Sequence, residues 1–525
     1  MGLIIAMVLP AVVGSLLIIG SRRINAGAAG FLALAAAAGA LVAAIAAAAS
    51  GARIERSWVT DWGIGANFAT DQISSPLALL TASITVLVVL HGLRHRPAGG
   101  SAGLYYGLLL LVELGALATF WTRDLIVFFI AFEIVLIPMW VLIHRFGDDH
   151  DPVLRREAAI RFVLYTALGS SIMLTGILAL VGQAGTSDMR QVLAAGLTSD
   201  TQLSIALLLV IGLVVKVPVF PFHSWLPPAH TIAPTAGSVL LAAVLLKMGT
   251  YGLIRLPLAL TPDGFARLGP LLATLGVVGI LWGGLICLVE RDLKRLIAYS
   301  SVAHMGFVAL ALGTGSGLGL QAALIANVAH GVISALLFFV VGALKDRWGS
   351  VDLGVVRPAL RESWPGLGLA LMVGLAGSLG LPGLAGFWGE FLAIASAWNP
   401  QGSGAAAPIV WLQDAERVGW FAYSPLDGLF QIDGIQIALT AGPPNAMVMR
   451  GLAVAAALGA VLAAAYSLRV AKLIWMGDAA SRDRAGDVTP VEALVMAVLA
   501  IAIIVLGLMP YLIFSGPTPF GGVLR

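Results

Sequence analysis

The chain has 525 residues, of which 59% are hydrophobic and only 11% charged, against roughly a quarter charged in an ordinary soluble protein. Apolar runs of about twenty residues recur from end to end, so the length is that of one polytopic membrane domain and not of several soluble ones. A net charge of +3 spread over short loops offers nucleic acid no basic groove, and the single cysteine, Cys287, excludes a disulfide framework and a cysteine-held iron–sulfur cluster within the chain.

Fourteen spans are predicted from apolar runs bounded by charge, proline or glycine clusters. The first, 2–20, has no basic stretch ahead of it and no convincing small-residue cleavage site, and reads as a retained helix. The second, 28–50, is rich in Ala and Gly, as closely packed membrane helices are. Spans three to eight follow at 73–93, 103–120, 125–144, 160–182, 203–222 and 236–260. Spans nine to fourteen lie at 269–289, 296–313, 319–344, 366–397, 450–475 and 491–515. The twelfth is longer than a straight crossing needs. The linker at 398–449, with Asp414, Glu416, Asp427 and Asp433 among weak apolar pieces, suits a surface hairpin or a lateral helix equally.

Orientation follows from the basic residues. Odd-numbered loops carry nineteen of the thirty Lys and Arg, among them Arg155, Lys294 and Arg357, and even-numbered loops carry eight, among them Arg123 and Arg255. The positive-inside rule then puts odd loops on the cytoplasmic side of a bacterial plasma membrane and both termini outside.

Two lysines remain inside the spans, Lys216 and Lys247, together with three acids, Glu113, Glu133 and Glu390. Each costs about 2.5–3.5 kcal/mol at a helix centre, so the five together would cost roughly 12–18 kcal/mol uncompensated, as much as the whole stability of a typical fold. They are expected to face the bundle interior and to carry protons. His304 and His330, near the middles of spans ten and eleven, are either members of the same path, hydrogen-bonded packing residues, or paired axial haem ligands. His223 and His230, just past span seven, suit capping and loop packing as well as proton transfer.

Two spans are interrupted beside an ionisable residue. Pro218 follows Lys216 in span seven, where proline removes a backbone donor and crowds the preceding turn. Pro382, between Gly380 and Gly383, precedes Glu390 in span twelve. Broken helices in corresponding places of two halves mark the site of an inverted-repeat transporter. The expected fold is therefore all-α and membrane-embedded, with N-terminal helices at 1–102, a first five-helix repeat at 103–260, an inverted second repeat at 269–475, and a C-terminal helix and tail at 491–525.

The stretches KVPVFPFHSWLPPAHTIAPTAGSV from Lys216, FFIAFEIVLIPMW from Phe128 and RLIAYSSVAHMGF from Arg295 resemble the antiporter-like, proton-pumping subunits of respiratory complex I, the NADH-quinone oxidoreductase. Within that family GLPGLAGFWGEF, from Gly380, resembles subunit M, chain 4 in mitochondrial naming, because relatives tend to place lysine where Glu390 stands. The resemblance implies a proton path in which Glu133 pairs with Lys216, Lys247 continues the axis, His304 and His330 line its centre and Glu390 ends it, with Glu113 and His223 as accessory members. It implies other membrane subunits as partners, and FMN, iron–sulfur clusters and quinone held by those partners and not by this chain. Pro228 and Ile232 depart from the family, which places an acidic and a polar or acidic residue there. Subunits of Mrp-type sodium/proton antiporters and of membrane-bound hydrogenases share the pattern; Glu390 argues against the antiporter. A purely structural scaffold would be an expensive use of five embedded charges.

Overall fold

The computed structural model describes residues 1–59, 63–148, 151–354, 359–400, 445–476 and 486–513, and the backbone of 429–432 and 435–438. Arg357 and the linker acids Asp414, Glu416, Asp427 and Asp433 lie outside the described residues. Among the described residues, thirteen helices are long and apolar enough to cross a membrane. Span twelve makes the fourteenth crossing as two half-helices, Pro365–Ser378 and Ala385–Trp398. That division accounts for its excess length. The fold is otherwise helical apart from short strand pairs, one of them between Leu429–Ile432 and Ile435–Ala438 in the long linker. The rest of the linker between residues 401 and 444 lies outside the described residues.

Helix starts follow their capping residues. Asp124, Asp151, Asp188 and Asp292 each accept backbone N–H bonds from the first turn of the helix they precede, and Thr489 forms a capping box with Glu492 ahead of the last span. Helix contacts follow glycine. A Cβ at Gly276 in span nine would stand 2.6 Å from the carbonyl oxygen of Gly306 in span ten, and one at Gly306 would stand 2.4 Å from that of Gly276. Only glycine allows the two backbones this approach.

The connections gather into two faces. On one, Asp148 N–H bonds to Ile232 O at 2.8 Å, Lys294 Nζ to Ala233 O at 2.9 Å, and Arg469 to Glu290 O at 2.9 Å. These are residues of the odd-numbered loops and their margins. On the other, Asn67 meets Asp188 at 2.9 Å, Ser199 meets Asp263 at 2.8 Å and Arg123 meets Asp71 at 2.8 Å, all near even-numbered loops. The alternation read from the sequence is therefore the alternation of the structure.

One local pattern occurs on both faces. Arg123-Asp124-Leu125 opens span five, with Leu125 N–H bonded to Ser187 O and Met189 N–H to Arg123 O at 2.9 and 3.0 Å. Arg291-Asp292-Leu293 opens span ten on the opposite face, with Leu293 N–H bonded to Val351 O and Leu353 N–H to Arg291 O at 3.0 and 2.9 Å. Exposed apolar side chains, such as Leu168, Val289 and Leu468, lie on the outer helices. Spans eight and eleven have their whole central windows buried. These two enclosed helices carry Lys247 and His330.

Candidate functional site

Four of the residues singled out in the sequence come together in the second half of the bundle. Lys247 is 1% exposed and follows a π-helical turn, Leu241–Leu245. There Leu246 N–H reaches back five residues to Leu241 O, past Ala242 O. Ala242 O accepts from Lys247 Nζ at 2.7 Å, and the same Nζ stands 2.5 Å from His330 Nδ1. When Lys247 is an ammonium it has no acceptor, so in that state Nδ1 accepts and the His330 proton is on Nε2. That Nε2 is buried and has no hydrogen-bond partner.

His330 faces His304 with ring centroids 5.7 Å apart. His304 joins both halves of broken span twelve: its Nε2 lies 3.0 Å from the Ser378 hydroxyl, the last residue of the first half-helix, and its Nδ1 lies 2.9 Å from Glu390 Oε1 in the second. The break makes this possible. Gly380 has φ of +74° and Gly383 φ of +90°, and a Cβ at Gly380 would stand 3.0 Å from Glu390 Oε2. Gly380 is thus favoured by its left-handed backbone conformation, and it leaves room for the carboxylate. His304, His330, Glu390, Phe307, Ile333 and Gly386 line a cavity with about 20 Å³ open to the centre of a water molecule, above the roughly 10–15 Å³ that one water needs. Lys247, His330, His304 and Glu390 therefore form a file of buried titratable groups, with the cavity beside the gap between the two rings.

The first half is arranged differently. Lys216 ends the helix Ser199–Lys216 and is 3% exposed; two residues later Pro218 has φ of +28° and the helix stops. Its Nζ lies 4.8 Å from the centre of the Phe132 ring, a cation–π distance. Glu133 is near enough for its charge to act on Lys216, but the two make no ion pair. Glu133 sits at a bend between Leu125–Ile134 and Leu136–Phe146. Pro138 supplies no N–H and its ring crowds the carbonyl of Ile134, four residues back, which interrupts the helix there. Glu133 is half-buried and shares its helix face with Ile130 and Ile137, which are 41% and 68% exposed. Lys216 packs against span eight: a Cβ at Gly249 would stand 3.1 Å from the Lys216 Cβ.

The two accessory residues remain outside the file. Glu113 is fully buried in span four with neither carboxyl oxygen hydrogen-bonded. His223 lies in the break of span seven, stacked on Phe220 at 5.6 Å with its Nδ1 unpartnered. Among the described residues no group of three or more His, Cys, Asp and Glu side chains is placed to hold a metal ion.

Several charged residues counted as loop members are buried instead. Arg123 and Arg255 are each 2% exposed and both bind Asp71, and Arg255 Nε lies 2.9 Å from the Tyr251 hydroxyl. Glu492, 0% exposed, takes a two-point contact from Arg347 at 2.8 and 3.0 Å, so Glu390 is not the only embedded charge of the C-terminal half. Both clusters tie a span end to its neighbours, which is why loop counting missed them. The recurrence of Arg-Asp-Leu at 123 and 291 was the available signal for the first.

Residues 122–407 match the family described as NADH:quinone oxidoreductase/Mrp antiporter, TM. The chain belongs to this family. Within it, "NAD(P)H-quinone oxidoreductase chain 4 1" of Synechococcus sp. (strain JA-3-3Ab) is 34% identical over 464 residues, covering 87% of this chain and 78% of the relative. "F(420)H(2) dehydrogenase subunit M" of Methanosarcina mazei is 37% identical over 352 residues, covering 64% of this chain and 69% of that one. Among solved structures, a chain of respiratory complex I from Thermus thermophilus with bound NADH superposes with a TM-score of 0.79 at 26% identity, covering 99% of this chain and 98% of that one. A chain of the membrane-bound sulfane sulfur reductase, an archaeal respiratory membrane complex, has the same fold, with a TM-score of 0.79 at 22% identity and coverage of 98% and 96%.

Proposed function

We propose that this chain is the subunit M, or chain 4, member of a bacterial NADH-quinone oxidoreductase and moves protons through Glu133, Lys216, Lys247, His330, His304 and Glu390. The observation that carries the reading is the buried file Lys247–His330–His304–Glu390, whose links are 2.5 Å between side chains, 5.7 Å between rings and 2.9 Å between side chains. Flavin, iron–sulfur and quinone chemistry belongs in this reading to partner subunits, and this chain's own residues hold and pass protons. The matching Arg-Asp-Leu connections on opposite faces, and the helix breaks at Pro218 and Pro382, support two inverted repeats. The excess of basic residues in odd loops supports their placement on the cytoplasmic side, with both termini outside.

In this mechanism the Glu133–Lys216 pair is the switch. At an effective dielectric of 20, a separation of 4 Å is worth about 4 kcal/mol and one of 7 Å about 2.4 kcal/mol. Closing the pair makes Lys216 hold its proton more tightly by about 1.7 kcal/mol, a factor of roughly 17–18. Opening it releases the proton toward span eight. The helix break at Pro218 provides the joint. The test is a complex carrying Lys216→Ala or Glu133→Ala, reconstituted in proteoliposomes. It should assemble and oxidise NADH with an artificial acceptor while quinone-linked pumping collapses. Wild-type pumping by either variant would refute the assignment, and a strict sodium requirement would point to the antiporter branch instead.

A further inference from the structure

We propose that Tyr466 is a further proton-relay residue, part of a branch that connects the His304–Glu390 end of the file to the odd-loop face. The proposal rests on the proton-path reading above and adds a second entrance to it.

Tyr466 stands in span thirteen, Ala446–Ile474, and is 1% exposed. Its hydroxyl is placed beside Ser378 and Ser300 and within electrostatic reach of Glu390, yet makes no hydrogen bond of normal geometry. A phenol hydroxyl taken out of water without a partner costs about 1–3 kcal/mol, and Phe would fill the same ring volume without that cost. The neighbouring Ser467 hydroxyl is also buried and unpartnered. The other buried residues of this helix are apolar, Met449, Val470 and Ile474 among them, so these two hydroxyls are its buried polar seam.

The seam has two defined ends. At the inner end, Ser378 Oγ is already 3.0 Å from His304 Nε2, and His304 Nδ1 is 2.9 Å from Glu390. At the outer end, Ser300 lies one turn closer than His304 to the odd-loop start of span ten, its hydroxyl bonded to Ile297 O at 2.8 Å. Tyr466 lies eight residues, about 12 Å of helix, from the odd-loop end of its own span. There Arg469 reaches the carbonyls of Cys287 and Glu290 at 3.2 and 2.9 Å, and the Glu290 carboxylate pairs with Arg295 at 3.4 Å.

The relay is neutral in atoms and electrons. The Tyr466 oxygen accepts a proton from the odd-loop side and its own proton passes to the Ser378 hydroxyl, which gives its proton to His304 Nε2. Each hydroxyl ends chemically unchanged and rotates back. No oxidant or ion is consumed.

The experiment compares Tyr466→Phe, Tyr466→Leu, Lys247→Met and Glu390→Gln complexes in proteoliposomes. It reads native-gel assembly, artificial-acceptor NADH oxidation, quinone-linked pumping rate and the D2O isotope effect on pumping. The expectation is that Tyr466→Phe assembles normally and oxidises NADH normally, yet pumps about tenfold more slowly with a changed isotope effect, toward the 10²–10⁴-fold that a positioned proton-transfer group contributes. Tyr466→Leu should pump no worse than Phe. Wild-type pumping by Tyr466→Phe, or a defect confined to Tyr466→Leu and accompanied by poor assembly, would reduce Tyr466 to packing and overturn the branch alone. Wild-type pumping by Lys247→Met and Glu390→Gln would instead overturn the proton-path reading, and the branch with it.

Discussion

The two halves of the proposed proton path are built on the same device, a helix broken beside an ionisable residue, but they are left in different states. In the second half the break at Gly380–Gly383 brings Ser378 and Glu390 onto the two nitrogens of one histidine, at 3.0 and 2.9 Å, and Lys247 touches His330 directly. In the first half the break at Pro218 leaves Lys216 over an aromatic ring, near Glu133 but unpaired with it, and Glu133 at the edge of the bundle. In the proposed path the file needs only a water in the cavity between its two rings, whereas an unclosed pair can change its energy by closing. In the proposed mechanism this contrast corresponds to conduction in the second half and switching in the first.

The sharpest way to break that contrast is at Glu390, where conduction and packing make opposite demands. A proton carrier needs to titrate, which Asp retains and Gln does not. A packing residue needs volume, which Gln retains and Asp does not, since Asp loses a methylene and leaves a small void. Glu390→Asp is therefore expected to keep substantial pumping, and Glu390→Gln to lose most of it, on the order of 10²-fold, with both complexes assembled on native gels. Equal pumping by the Gln variant, or poorer assembly of the Asp variant, would return Glu390 to a structural role.

A smaller effect is expected where span eight is anchored. Asp71 sits outside the spans; burial would raise the pKa of its carboxyl, but Arg255 and Arg123 together hold it far below the usual carboxylate range. A depressed carboxyl stabilises the fold above its unfolded value near 3.9 and loses that contribution only as the pH falls through the folded value. The anchor should thus be insensitive to pH from neutrality down to about 4. Asp71→Asn leaves two buried guanidiniums facing a neutral amide, a loss of the kind worth about 3–5 kcal/mol. Thermal melting of the detergent-solubilised complex should show a clear drop, and pumping should fall with it because Lys247 loses its fixed register against His330. An unchanged midpoint would mean that the enclosed position of span eight alone holds the file together.

Much of this architecture was legible in the sequence. Lys216, Lys247 and Glu390 could be picked out because a charge in an apolar run is costly, and Pro218 and Pro382 because proline lacks the backbone N–H that a helix needs. What stayed hidden depended on contact between distant segments. Nothing local distinguishes Arg255, near a span end, from a surface arginine until Asp71, far along the chain, is seen against it. Tyr466 and Ser378 read as ordinary helix residues until span thirteen is packed on the break. The separation of Glu133 from Lys216 was equally invisible, because spacing along the chain says which residues can meet and not whether they have met.

The smallest expected effect concerns the odd-loop end of span eleven, the helix that carries His330. His95, in the third loop, lies 3.3 Å from Asp346 and 3.7 Å from Glu492, and stacks on His91 at 4.7 Å. Arg347 binds the same Glu492, so spans eleven and fourteen and the third loop meet at one carboxylate. The hydrogen bond to Asp346 raises the pKa of His95 above its ordinary value, helped by Glu492 and opposed by burial and by Arg347. For a raised histidine the stabilisation is fully present below the unfolded value near 6.5 and is lost as the pH climbs through the folded value above it. Asp346 is 56% exposed, so solvent screening limits the contact to about 0–1 kcal/mol. The wild-type complex should therefore melt slightly lower at pH 8.5 than at pH 6, and His95→Ala should remove that difference while leaving the pH 8.5 midpoint nearly unchanged. If the variant keeps the full pH dependence, the titrating group is elsewhere. If it lowers both midpoints equally, His95 acts by packing on His91 and its charge is irrelevant to the anchor.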